Sequence, residues 1–216
     1  MSGEERALRR ALVEQYRRAG ELRLNELASG NLSCRFGEGM RISASGVSAE
    51  TIDEDNVVFC SLDGEWSGAH RPSSEWRMHA AIYQRRPEAR AVVHTHSDAC
   101  VAVACHGRPL PGFHYLVGLF GGDDVPCVPY STFGGEELAR EAAAALEDRT
   151  ACLLASHGMI CRAGSLTAAV AIAQRLEILC RQYLLARQLG EPPVLTPDQW
   201  TEFHARFRAM GYGEGG

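Results

Sequence analysis

Residues 89–105 read ARAVVHTH-SDACVAVAC, and the period of the chain changes in the middle of them. The first eight form a short apolar run rich in valine that ends on two histidines, as a buried strand does. After Ser97 and Asp98 come small apolar residues that suit a helix packed closely on its neighbours. A strand passing at once into a helix is the mark of a layered α/β domain.

Working outward, the same alternation recurs. An opening helix over about residues 4–27 carries Leu8, Leu12, Tyr16, Ala19 and Leu22 at helical spacing. Strand-like runs NLSCRF (31–36), MRIS (40–43) and NVVFC (56–60) follow, separated by turns. Ser73 or Ser74 is placed to cap a helix that runs through Tyr83 and ends before Pro87, with Glu75 in its first turn. Beyond the quoted stretch lie the Gly-rich passage GFHYLVGLFGG (112–122), strand PCVPY (126–130), helix EELAREAAAALED (136–148) and strand TACLLAS (150–156). A long helix spans Ser165 to Gln188, and a last one starts near Thr196-Pro197 and fades into the Gly-rich tail at 211–216. The expected architecture is a single α/β domain over 1–216, with helices on both faces of a central sheet.

Composition narrows the function. A net charge of −5 carries no basic excess for nucleic acid. No apolar run is long enough to cross a bilayer and the start lacks a signal-peptide core, so the expected location is cytoplasmic. The eight cysteines contain no C-x-x-C pair and read as buried, inert thiols rather than a disulfide framework. The 22 basic residues are all arginine. Without lysine there is no Schiff base with a carbonyl substrate, so carbon-acid chemistry here needs a metal or an added cofactor as electron sink.

His94 and His96, two apart on a strand, project from one face and can meet one ion at about 2.0–2.1 Å. A polar strand end with two solvent-facing histidines is the alternative. His157 also leaves a strand end, and spacing alone leaves it a ligand or a capping residue. Glu75 is either a fourth ligand or a carboxylate favoured by the helix dipole. His79, one turn on, is either a further ligand or a buried partner. Three small polar turns, Ser29–Ser33, Ser43–Gly46 and Pro72–Ser74, offer hydroxyls and backbone N–H groups to an anion.

In their order and spacing, the segments SGNLS, ISASG, PSSEWRMH, AVVHTHS, FHYLVGLFGG, PYSTFGGEEL and SHGMI resemble the class II (zinc-dependent) aldolase family, which also includes adducin-type heads. The resemblance implies a three-layer α/β/α sandwich and a C4 homotetramer with active sites between subunits. It implies zinc, or else manganese or cobalt, on Glu75, His94, His96 and His157. The implied reaction cleaves a ketose 1-phosphate of the L-fuculose 1-phosphate kind into dihydroxyacetone phosphate and an aldehyde through a metal-stabilised enediolate. By the same resemblance Glu75, Tyr115 and Tyr212 are catalytic. Gly30, Asn31, Ser45, Gly46, Ser73 and Ser74 hold the phosphate, and Phe133 lines the aldehyde side. Ala28 stands where the resembled aldolases have a phosphate-binding threonine, and Ser45 where they have Thr. A decarboxylase, epimerase or dehydratase on the same scaffold is the alternative outcome, and a non-catalytic adducin-like assembly domain a further one.

Overall fold

The computed structural model describes residues 2–211. Tyr212, expected in a catalytic role, lies outside the described residues together with the end of the tail. Eight strands form one sheet, in the spatial order β4-β3-β2-β1-β5-β8-β7-β6. The strands are β1 (Asn31–Phe36), β2 (Gly39–Ser43), β3 (Val57–Ser61), β4 (Trp66–Ser67), β5 (Ala91–Thr95), β6 (Cys127–Val128), β7 (Ala151–Leu154) and β8 (Gly158–Ala163). All neighbours pair antiparallel except β6 with β7.

Helices cover both faces, as expected. On one side α1 (Gly3–Glu21), α3 (Asp98–Ala104) and α5 (Leu166–Ala186) bury Leu12, Cys100 and Leu176 against Leu32, Val93 and Cys161. On the other, α2 (Trp76–Arg85) and α4 (Glu136–Ala145) bury Ile82 and Leu138 against Val92, Cys152 and Ile160. Val92 and Val93 thus serve opposite cores, which is the period-2 alternation of a strand buried on both faces. The result is a three-layer α/β/α sandwich. A final helix, α6 (Pro197–Ala209), packs Trp200 and Phe203 over the 112–118 segment, where Gly112 and Gly118 leave room for their rings.

Several boundaries differ from those read in the sequence. The opening helix stops at Glu21, because Arg23 and Leu27 take positive φ of 57° and 55°. Leu24 still reaches the core, which is why the apolar spacing seemed to continue. β8 went unread, although it is central and separates β5 from β7. Helix α2 has Glu75 itself at the N-cap position, and Ser73 Oγ accepts from the Glu75 backbone N–H. Of the cysteines, Cys105 is exposed and Cys127 half-buried, while the other six are buried; all eight are free thiols. Among the described residues no helix is long and apolar enough to cross a membrane.

Candidate metal centre and adjoining polar turns

β5 carries its even-numbered side chains toward the α2 side, and His94 is fully buried there. Opposite His94 in register stands Asn31, the first residue of β1. His96 follows just beyond the end of β5. His157 sits in the turn between β7 and β8, and Gly158 brings that turn close. A Cβ on Gly158 would lie 2.3 Å from Thr95 O and 3.0 Å from His96 Cδ2.

The three imidazoles meet as a propeller, with ring centroids 4.8–4.9 Å apart and planes 75–78° to one another. Glu75 closes the group, with Oε2 3.0 Å from His94 Nε2 and Oε1 3.1 Å from His157 Nε2. His94 Nε2 lies 2.9 Å from His96 Nε2. One ligand atom from each of the four residues falls within 4.8 Å of every other.

Hydrogen bonding tests whether a cation fits. His94 Nδ1 donates to Met159 O at 2.8 Å, so a neutral ring turns the lone pair of Nε2 toward His96 and Glu75. Glu75 Oε1 is buried with no hydrogen-bond donor. Lone pairs from nitrogen and oxygen therefore converge on one point, an arrangement that a divalent cation satisfies. Ligands about 2.0–2.1 Å from one ion lie roughly 3.3 Å apart at the tetrahedral angle, close to the three separations of 2.9–3.1 Å among these atoms.

Burial pushes the Glu75 carboxyl up, but positive charge placed at His94 and His157 outweighs it and holds the carboxyl well below the usual carboxylate range, so a cation among these rings keeps it ionised. Burial, His94 and His157 together pull His96 down to about 4. A neutral His96 ring and an ionised Glu75 are the forms in which these groups ligate metal.

The three polar turns converge beside this group. Leu32 N donates to Ser43 Oγ, tying the start of β1 to the end of β2. Ser45 N donates to Arg71 O and Ser73 N to Ser43 O, which lace the 43–46 turn to the entry of α2. Gly46 takes φ +80° with open space around it. Gly30 is held differently: its carbonyl accepts from Tyr16 OH, and a Cβ there would strike Asn25. The Asn31 side chain is turned away from the turn, donating through Nδ2 to Glu75 Oε2 at 3.1 Å.

A cavity of about 340 Å³ opens between these parts, lined by Ala28, Ser29, Ser74, Glu75, His96 and His157, with Tyr130 and Phe133 on its rim. Phe133 thus lines the same cavity as His96 and His157. Tyr115 is not; it is half exposed, stacked on His114 and near Phe203. Tyr130 was missed by the sequence reading, though it lies three residues before Phe133 in the same segment.

Comparison with known proteins agrees with this geometry. Residues 10–184 match the family described as "Class II Aldolase and Adducin N-terminal domain". The chain is 44% identical to a 5-methylthioribulose-1-phosphate/5-deoxyribulose-1-phosphate aldolase of Rhodospirillum rubrum, covering 98% of this chain and 96% of that one. It is 38% identical to an L-fuculose phosphate aldolase of Escherichia coli, over 96% of this chain and 97% of that one. The solved structure of an L-fuculose 1-phosphate aldolase superposes with a TM-score of 0.88 at 34% identity, over 96% of this chain and 98% of that one. With its four converging ligands on that shared frame, the chain belongs to the class II aldolase family and is an enzyme of its carbon–carbon lyase kind.

Proposed function

We propose that this protein is a zinc-dependent aldolase that cleaves a ketose 1-phosphate into dihydroxyacetone phosphate and an aldehyde. The observation that carries the reading is the convergence of Glu75, His94, His96 and His157 beside three polar turns laced by hydrogen bonds. Three imidazoles and a carboxylate form a donor set suited to zinc, with manganese and cobalt as alternatives. Bound there, a divalent ion supplies Lewis acidity to the substrate's carbonyl and hydroxyl oxygens.

The chain's own residues do the rest. Backbone N–H groups and hydroxyls of Gly30, Asn31, Ser45, Gly46, Ser73 and Ser74 bind the phosphate. Glu75, ionised and buried, carries the proton at the substrate carbon next to the carbonyl. Phe133 lines the aldehyde side. Tyr115, exposed and away from its own cavity, supports a homotetrameric arrangement in which it reaches a neighbouring copy's site and serves the aldehyde oxygen, with Tyr212 as a second such group.

Retro-aldol turnover on L-fuculose 1-phosphate and 5-deoxyribulose 1-phosphate, before and after chelation and zinc return, tests the reading. Loss on chelation and recovery with zinc are expected; full turnover in metal-depleted protein would overturn it. A substrate with an apolar far end is favoured by a second observation: Phe133, on the aldehyde side, shares the cavity with a second aromatic ring, Tyr130, and the Rhodospirillum rubrum relative is named for 5-deoxy and 5-methylthio sugars. A higher kcat/KM on the 5-deoxy sugar than on the fuculose ester would support it.

A further inference from the structure

Behind Glu75 runs a buried chain of side-chain hydrogen bonds. Asn31 Nδ2 donates to Glu75 Oε2 at 3.1 Å, and Asn31 Oδ1 lies 2.6 Å from His79 Nε2. His79 Nδ1 is 2.7 Å from Ser33 Oγ, which is 2.9 Å from Tyr83 OH. Asn31, Ser33, His79 and Tyr83 are between 0% and 4% exposed, so water does not stand in for any partner. The layout follows from two periods: Asn31 and Ser33 share a face of β1, while Glu75, His79 and Tyr83 repeat every four residues along α2.

The carboxylate sets the direction of every bond in the chain. It only accepts, so Asn31 must turn its NH2 toward Glu75 and its carbonyl toward His79. That carbonyl needs an N–H on His79 Nε2, which in a neutral ring leaves Nδ1 as acceptor. Ser33 O–H then donates to Nδ1, and Ser33 Oγ accepts from Tyr83. Reversing the Asn31 amide would put carbonyl against carboxylate and NH2 against N–H. Complete burial, together with the nearby His94, drives the His79 pKa down to about 3, so the ring is neutral as this pattern requires.

We propose that His79 is a positioning residue for Glu75: acting through Asn31, its Nε2–H fixes the amide that holds the carboxylate at the metal centre. The catalytic part of this rests on the reading of Glu75 as the proton carrier; the metal-binding part does not. Outlying partners that orient a metal ligand are worth about 10–100-fold in metal affinity or activity.

The test uses the full chain with His79→Leu, His79→Gln, Asn31→Ala and the His79→Leu/Asn31→Ala double variant. Zinc affinity is measured by chelator competition on metal-depleted protein, and kcat and KM at saturating zinc. His79→Leu should weaken zinc binding and lower kcat, each about 10–100-fold, with KM within about threefold. His79→Gln, whose amide N–H can reach Asn31 Oδ1, should recover most of both. In the Asn31→Ala background His79→Leu should add nothing, since the residues act in series. A folded His79→Leu variant with wild-type zinc affinity, no rescue by glutamine, or losses that multiply in the double variant would each overturn the proposal. If His79→Leu does not fold, Ser33→Ala takes its place: a several-fold loss of zinc affinity supports the chain, and no change refutes it. A wild-type protein that binds zinc but cleaves no ketose 1-phosphate refutes the aldolase reading and leaves the zinc measurements to decide the positioning role.

Discussion

Consider Gly158→Ala. Nothing in the backbone conformation of Gly158 demands glycine, because its φ is not in the left-handed region. The demand is spatial: an added Cβ would lie 2.3 Å from Thr95 O, where real Cβ atoms do not come under 3.0 Å. The β5–β8 pair would have to open by roughly 0.7 Å, and backbone is the atom that must give. Overpacking of a tight site costs about 1–3 kcal/mol. For a chain of this size about 2 kcal/mol corresponds to a fall of roughly 4–8 °C in Tm. Function should suffer more than stability. Thr95 lies between His94 and His96, so the shift spreads the ligands, and a misplacement of about 1 Å can cost on the order of 100-fold in rate. Thermal melts of metal-depleted protein and zinc titration read the two effects separately. Gly3→Ala, with nothing within 4 Å, is the control and should be neutral. A Gly158→Ala protein with wild-type Tm and zinc affinity would refute the close-approach argument.

Three further outcomes follow from the packing. Tyr16→Phe removes the hydroxyl that reaches Gly30 O and Val47 O, each at 2.9 Å; losing about 1 kcal/mol of support for the 30–31 turn should raise KM for a phosphorylated substrate about fivefold with kcat little changed, and an unchanged KM would refute it. Glu177→Gln weakens the carboxylate that accepts from Ala99 N and Cys100 N at the start of α3; it should cost about 1–2 kcal/mol in chemical denaturation, and a neutral variant would contradict that role. His79 titrates near 3 in the fold against 6.5 in the open chain. The unfolded state therefore binds the extra proton, and its contribution is complete above pH 6.5 and is lost as pH falls toward 3, by up to about 1.4 kcal/mol per pH unit. Melts of metal-depleted His79→Gln should show a shallower acid slope than wild type; parallel slopes would refute it.

What the sequence revealed was what is local. Alternation along residues 91–96 put His94 and His96 on one face, and the Ser73–Glu75 run marked a helix entry. β8 escaped because Gly158–Ala163 is six residues hemmed by a turn and Gly164, with Arg162 breaking its apolar character. Its absence from the reading left His157 without a visible route to β5. The chain behind Glu75 left half a trace: Glu75, His79 and Tyr83 stand at four-residue intervals, a polar line on a helix face that proves to be buried. Its other half, Asn31 and Ser33, arrives from more than forty residues away, and local patterning carries no record of that pairing.

The wide spacing of the ligands bears on how the molecule assembles in time. Residues 75, 94, 96 and 157 come together only after β1, β5 and β8 have paired, and His94 and Glu75 take their orientation from Met159 and Asn31 across those pairings. Among the described residues no short segment holds these four ligands, so none can grip an ion early and fold around it, as a small zinc module does. Zinc should therefore slow unfolding while leaving the refolding rate almost untouched: the cation arrives as a late guest and locks a house already built.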